Sequence, residues 1–252
     1  MMIPSVVVCL ELVYCHPTLA LLNKIVCCGI FDWATQILHI CNIYFPTFFL
    51  NLISLLYLVM YVSGLNNIGL LFPHNQYNPT QTLFTLIHSD VWGPSKVTTS
   101  LEKRWFVTFI DDHTRLTWVY LITDKFEVSS IFQNFYHTIE TQFYTKIAIL
   151  RSHNGREFQN HNLNEFLASK GIVHQTSCAY TPQQNGVTER KNRHVVEVAH
   201  SLILSTSLPL YLWGDAILTA AQLINRMSSR ILHLQIPLYC LKESYPSTRL
   251  VF

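Results

Sequence analysis

The sequence predicts an α/β domain in which helices flank a mixed five-stranded sheet, preceded by a hydrophobic N-terminal extension. Three short β-branched and aromatic segments follow one another closely, at residues 83–90, 105–110 and 116–122. Strands joined by such short turns are typical of antiparallel pairing. Two further strands, at residues 146–150 and 171–174, alternate with helical segments, and this alternation is typical of parallel pairing.

Helices are predicted wherever apolar residues recur three or four positions apart, because that spacing places them on one face. In the first two helices these positions are Val128, Ile131, Phe132, Phe135, Ile139 and Phe143, and then Leu163, Phe166 and Leu167. In the third, which begins near Val187, they are Val195, Val198, Ala199 and Leu202. A last helix is predicted over residues 210–227. The resulting order, βββ-α-β-α-β-α-α, is that of the ribonuclease-H-like fold.

Charged side chains are distributed very unevenly along the chain. Residues 1–89 contain only three of them, whereas the remaining 163 residues hold 16 basic and 13 acidic side chains. Such a break marks a boundary between differently selected pieces of sequence. It predicts a hydrophobic extension over residues 1–80 and a folded core over residues 81–245. The net charge of +2 does not by itself indicate a nucleic-acid partner.

Residues 45–72 of the extension contain no charged side chain and approach the roughly 20 apolar residues that a membrane helix needs. Three structures stay open for the extension: a membrane helix, a buried or poorly folded hydrophobic segment, and sequence without selected structure. Asn51, Ser54 and the lack of flanking positive charge weaken the membrane helix. We expect residues 1–75 to pack little against the core.

The seven cysteines form no CxxC pair, and five of them lie in the extension. An odd count without a spacing pattern argues against a secreted disulfide framework and favours unpaired thiols in a reducing compartment. The alternative is a zinc site formed by Cys15, His16, His39 and Cys41. Zinc modules normally present paired ligands two to four residues apart, and that spacing is missing here.

Three phrases of the core carry a resemblance to a known family. They are HSDVWGP at residues 88–94, RSHNGREF at residues 151–158 and PQQNGVTERKNR at residues 182–193. Their order and spacing resemble the integrase core of copia-type retrotransposons, part of a retrovirus-related Pol polyprotein, from about residue 83 to the end of the chain. By this resemblance, residues 246–252 are the truncated start of the following polyprotein region.

The resemblance implies a catalytic set of Asp90, His153 and Glu189. In this family 35 residues separate the second metal-binding aspartate from the glutamate, and residues 154–188 have that length here, but His153 stands where the aspartate would be. Asp90 and Glu189 are therefore the metal ligands retained, for Mg²⁺ or Mn²⁺. Without the resemblance, Asp90 would be interpreted as a strand-end cap and Glu189 as an acid favoured at a helix N-terminus.

His153 is expected to weaken metal binding. An imidazole removes one negative charge and offers a softer donor than magnesium prefers. Strand transfer is therefore predicted to be lost, with a weakened site rescued by manganese as the alternative. Arg156, where this family usually has a glycine, is a second departure. For Asp111 and Asp112 a strand-turn role is preferred to a catalytic one.

By the same resemblance, Arg190, Lys191 and Arg193 would contact DNA phosphates, a kind of contact that is salt-sensitive and independent of sequence. A solvated helix face is the alternative for these side chains. The resemblance further implies DNA as partner, a homodimer formed through the core, and the nucleus or cytoplasm as location. Two other functions stay open: a non-catalytic nucleic-acid-binding or dimerisation module, and a membrane-anchored fragment.

Overall fold

The computed structural model describes residues 80, 82–177 and 185–246. Five strands form one sheet in the order β3-β2-β1-β4-β5. The strands are β1 Leu86–Trp92, β2 Trp105–Asp111, β3 Thr117–Ile122, β4 Ile149–Ser152 and β5 Val173–Thr176. β1 pairs antiparallel with β2, and β2 with β3, whereas β1–β4 and β4–β5 are parallel. The predicted mixed sheet is therefore confirmed.

Five α-helices flank this sheet within the described residues. They are α1 Val128–Phe143, α2 His161–Lys170, α3 Gly186–Thr206, α4 Trp213–Asn225 and α5 Pro237–Ser244. The first four correspond to the predicted helices, and together with the strand order they confirm the ribonuclease-H-like fold. The short helix α5 was not predicted.

Two apolar clusters lie on opposite faces of the sheet, because successive side chains of a strand point to opposite sides. On β2, Val107 and Phe109 pack into a cluster with α1, α2 and α5. The preceding residue, Phe106, packs into the other cluster, with α3 and α4. The sheet is thus covered on both faces, and α3 lies on the same face as Asp90.

Strand β1 extends two residues further than predicted, so Asp90 lies inside the strand and not at its end. Pairing with β2 continues as far as Trp92 and Phe106. Gly93 then ends the strand, since its φ of 128° suits glycine and a Cβ there would lie 2.8 Å from the carbonyl oxygen of Arg104. At the other edge, β5 starts at Val173 because Gly171, with φ of 69°, caps the end of α2.

The interpretation of Asp111 and Asp112 as turn residues is confirmed. Asp111 accepts hydrogen bonds from the backbone N–H groups of Phe84 and Thr114, at 2.9 and 2.8 Å. Asp112 Oδ2 accepts one from the backbone N–H of Thr80 at 2.9 Å. These bonds hold the start of the core against the turn between β2 and β3.

The predictions for residues 1–79, including the zinc alternative and the apolar segment 45–72, lie outside the described residues, as do residues 178–184 and 247–252. Within the part of the chain that the structure describes, no helix is long and apolar enough to cross a membrane.

Candidate metal and DNA site

Asp90 is held by a polar bridge between β1, β2 and α3. Its Oδ1 accepts a hydrogen bond from the backbone N–H of Val91 at 2.9 Å, and its Oδ2 accepts one from Asn192 Nδ2 at 3.4 Å. Thr108, which pairs with Asp90 across the sheet, donates its hydroxyl to Asn192 Oδ1 at 3.0 Å. The carboxylate is thus fixed in orientation and keeps lone pairs for a further partner.

The pKa of Asp90 is raised to about 6, mainly by burial and to a smaller extent by the nearby carboxylates of Glu189 and Glu157. The hydrogen bond from Val91 and the proximity of His153 act in the opposite direction. An Asp90 carboxylate in these surroundings favours a proton or a cation. His153, Glu157 and Glu189 all lie close enough to influence it.

His153 directly follows β4, whose last residue, Ser152, pairs with Ser89 of β1. His153 and Asp90 therefore continue two neighbouring parallel strands side by side. Glu189 is exposed and lies in the first turn of α3, as predicted. Asp90 and Asn192 connect that helix to the sheet.

The three predicted residues do not, however, form a closed ligand set. Within residues 80, 82–177 and 185–246, no three side chains of His, Cys, Asp or Glu are gathered so that they could hold a metal ion. Magnesium is often held by one or two carboxylates together with substrate phosphates. The donor chemistry of Asp90 and Glu189, the two predicted metal ligands, fits one such ion.

Glu157 is a residue near the site that the sequence did not single out. It lies in a 3₁₀ turn, Arg156–Phe158, and is 9% exposed. Its carboxylate folds back over Gly155, where a Cβ would lie 2.6 Å from Oε2. Its Oε1 lies 3.4 Å from Lys125 Nζ. The only signal in the sequence was its place in the phrase that also contains His153.

The three basic residues predicted to contact DNA differ in their exposure to solvent. Arg190 and Arg193 are exposed, whereas Lys191 is half-buried. Burial and the neighbouring guanidinium of Arg115 lower the pKa of Lys191 to about 8. Arg190 and Arg193 are thus more accessible to solvent than Lys191.

A cleft of about 440 Å³ lies beside Glu157. It is lined by Trp105, Thr123, Asp124, Lys125, Phe126, Arg156 and Glu157. Lys125 Nζ lies 4.6 Å from the centre of the Trp105 ring. Arg156, the second departure from the family pattern, is exposed at this cleft and leaves the turn that carries Glu157 intact.

Residues 83–182 match the family described as the integrase core domain. The chain is 41% identical over 155 residues to the retrovirus-related Pol polyprotein from transposon TNT 1-94 of Nicotiana tabacum, covering 62% of this chain and 12% of that protein. It is 37% identical over 176 residues to the retrovirus-related Pol polyprotein from transposon RE1 of Arabidopsis thaliana, covering 70% of this chain and 12% of that protein. The chain therefore spans about 12% of the length of these curated relatives.

Among solved structures, the HTLV-2 integrase catalytic core domain in complex with magnesium, in its trimeric form, is similar at 18% identity with a TM-score of 0.47, covering 62% of this chain and 95% of that chain. The catalytic core domain of BIV integrase is similar at 18% identity with a TM-score of 0.45, covering 65% of this chain and 97% of that chain.

Proposed function

We propose that the described domain is a degenerate DNA strand transferase that has lost its joining activity, because residues 83–182 match the integrase core family and the chain is similar to retrotransposon Pol polyproteins. By descent, such an enzyme acts in DNA integration and joins element ends to target DNA through attack of a 3′-hydroxyl. The observation that carries the loss of activity is His153, which directly follows β4 beside Asp90.

The physical reason is the demand that phosphoryl transfer makes on the site. Divalent ions, when bound, activate the attacking oxygen and stabilise the leaving one, and two-ion sites place them about 3.5–4 Å apart. An imidazole at position 153 provides neither the charge nor the hard oxygen that a second ion needs. Asp90 and Glu189 would hold one Mg²⁺ or Mn²⁺, and Asn192 would orient Asp90 toward it.

DNA is the proposed partner, because Arg190 and Arg193 are exposed on the helix that carries Glu189. Such contacts to phosphates need no metal, so DNA binding should persist without joining. A homodimer through the core and a nuclear or cytoplasmic location are further proposals that follow from the family. Neither a purely non-catalytic module nor a membrane-anchored fragment is favoured by the Pol polyproteins that the chain matches.

The test is end-joining of a labelled DNA duplex by the full chain in magnesium and in manganese. We expect no joining by the unmodified chain in magnesium, and we expect the variant His153→Asp to regain some, because it returns an oxygen ligand and a charge. The matched control is His161→Asp, which changes an exposed histidine at the start of α2. Robust joining by the unmodified chain in magnesium would show that histidine suffices at position 153.

A further inference from the structure

The cleft beside Glu157 combines aromatic rings with charged side chains, and the proposed mechanism makes no use of it. Its volume of about 440 Å³ lies within the range of about 300–1,000 Å³ that is typical of sites for small ligands. The turn that contributes Arg156 and Glu157 to its lining begins three residues after His153. The cleft therefore borders the loop that begins at His153, beside Asp90.

Phe126 is an exposed aromatic residue in the lining of this cleft. Its side chain is 69% exposed, although the loop that carries it is firmly held. The backbone N–H groups of Thr123 and Asp124 both donate to Glu127 Oε1 at 2.9 Å. The backbone N–H of Phe126 in turn donates to Asp124 Oδ1 at 2.9 Å. These bonds form a capping box, so the backbone that places the ring at the cleft is fixed before any ligand binds.

The charges in the lining of the cleft balance one another. Lys125 Nζ lies 3.4 Å from Glu157 Oε1 and 4.6 Å from the centre of the Trp105 ring, so this cation is already neutralised. Asp124 and Arg156 add one charge of each sign. Arg156 is exposed and forms no ion pair within the part of the chain that the structure describes. A lining without net charge suits an uncharged ring with polar edges, and Arg156 remains for a single negative charge attached to that ring.

We propose that this cleft binds an unpaired nucleotide of DNA, with its base stacked on Phe126 and its phosphate contacted by Arg156. The inference rests on the proposed function, since it concerns the DNA partner of the integrase core. Every nucleobase has an aromatic face on which a side-chain ring can stack, and every nucleotide carries one phosphate charge. A base inside a duplex is stacked on its neighbours and cannot meet Phe126. The cleft therefore favours a DNA end with unpaired nucleotides over a blunt end.

The experiment compares the affinity of the full chain for two duplexes of the same sequence, one blunt and one with a short unpaired end. Fluorescence anisotropy in EDTA measures both affinities, because neither contact needs a metal ion. We expect the unpaired end to bind about tenfold more tightly, since stacking of one base on an aromatic side chain strengthens binding by about that factor. A third duplex, whose unpaired nucleotides lack their bases, should lose most of this preference because it keeps only the phosphates.

Three variants assign the preference to the cleft. Phe126→Ala should abolish the roughly tenfold preference for the unpaired end, whereas Phe126→Trp should keep it. The matched control is Tyr144→Ala, because Tyr144 is also an exposed aromatic residue but follows the opposite end of α1. Arg156→Gln should lower the slope of log affinity against log salt for the unpaired end by about 0.7. The preference is a ratio of two affinities of one protein, so a general loss of folded protein does not mimic its disappearance.

Equal affinity of the unmodified chain for the blunt and unpaired ends would overturn the inference and leave the proposed function intact. A preference that survives in Phe126→Ala, or one that Tyr144→Ala abolishes as well, would also overturn it, as would an unchanged salt slope in Arg156→Gln. Absence of binding to any of the duplexes would refute DNA as the partner and the inference with it. DNA joining by the unmodified chain in magnesium would instead refute the proposed inactivity without bearing on the cleft.

Discussion

Asn192 of α3 donates its side-chain amide to Asp90 of β1 at 3.4 Å, although the two residues are 102 positions apart in the chain. The same amide group accepts a hydrogen bond from Thr108 of β2 at 3.0 Å. One side chain thus ties the helix to two strands. Because Glu189 lies three residues before Asn192, about one helical turn, this bridge also sets where Glu189 lies relative to Asp90.

Replacing Asn192 by alanine should destabilise the fold by about 1–3 kcal/mol, because the buried Thr108 hydroxyl and Asp90 both lose a partner. Urea unfolding of the full chain measures the free energy of unfolding. The control is Asn164→Ala, at an exposed position of α2, which should change it by no more than about 0.5 kcal/mol. Equal effects of the two substitutions would mean that the Asn192 bridge contributes nothing to the free energy of unfolding.

Much of the fold could be predicted because its elements carry periodic apolar residues. Helices α1, α3 and α4 show that spacing over several turns, and the strands are aromatic or β-branched. Helix α5 was missed because its eight residues bury only Pro237, Leu238 and Leu241, too few for a period to be visible. The end of β1 was misplaced because pairing with β2, which the local sequence does not reveal, continues past Asp90.

Residues of the site could be predicted from the sequence only where they are the characteristic residues of a recognised motif. Asn192 and Glu157 lie inside the quoted phrases, yet their roles come from contacts with Thr108 and Lys125 that are remote in the chain. Lys191 was predicted together with Arg190 from the family resemblance, and the structure shows that the two differ in exposure. Consecutive residues of a helix point about 100° apart, so adjacent basic residues need not share a face.

Among the single substitutions described, Asp112→Ala should lower the free energy of unfolding most. The buried carboxylate lies 2.8 Å from His88 Nε2 and 3.4 Å from Arg115, and it accepts the N–H of Thr80. Removing it breaks the buried ion pair with Arg115, which costs about 3–5 kcal/mol. Chemical unfolding tests this, with Asp124→Ala as control: an exposed cap should cost about 1 kcal/mol. A loss from Asp112→Ala no greater than that from the cap would contradict the network's importance.

Deprotonation of Asp90 should lower the free energy of unfolding as the pH rises. Its pKa is about 6 in the fold against an ordinary value of 3.8, so the unfolded chain releases this proton first. The protonated carboxyl therefore favours folding fully below about pH 3.8, and this contribution is lost as the pH rises through about 6. Asp90→Asn should accordingly be more stable than the unmodified chain at pH 8, by on the order of 2–3 kcal/mol, and similar to it at pH 4. Thermal melts of both proteins in EDTA at pH 4 and pH 8 test this prediction. A difference in stability between Asp90→Asn and the unmodified chain that is the same at both pH values would refute the raised pKa.

DNA affinity should depend on Arg190 and Arg193 but not on Lys191. Both arginines are exposed, so each phosphate contact they make releases counterions, and losing one should lower the slope of log affinity against log salt by about 0.9. Arg190→Ala and Arg193→Ala should therefore bind duplex DNA more weakly at low salt and converge with the unmodified chain at high salt. Lys191→Met, which removes a half-buried amine beside Arg115, should leave the slope unchanged. Fluorescence anisotropy with two unrelated duplexes measures both the slope and the expected indifference to sequence. A loss of slope in Lys191→Met equal to that in the arginine variants would show that Lys191 also reaches the DNA backbone.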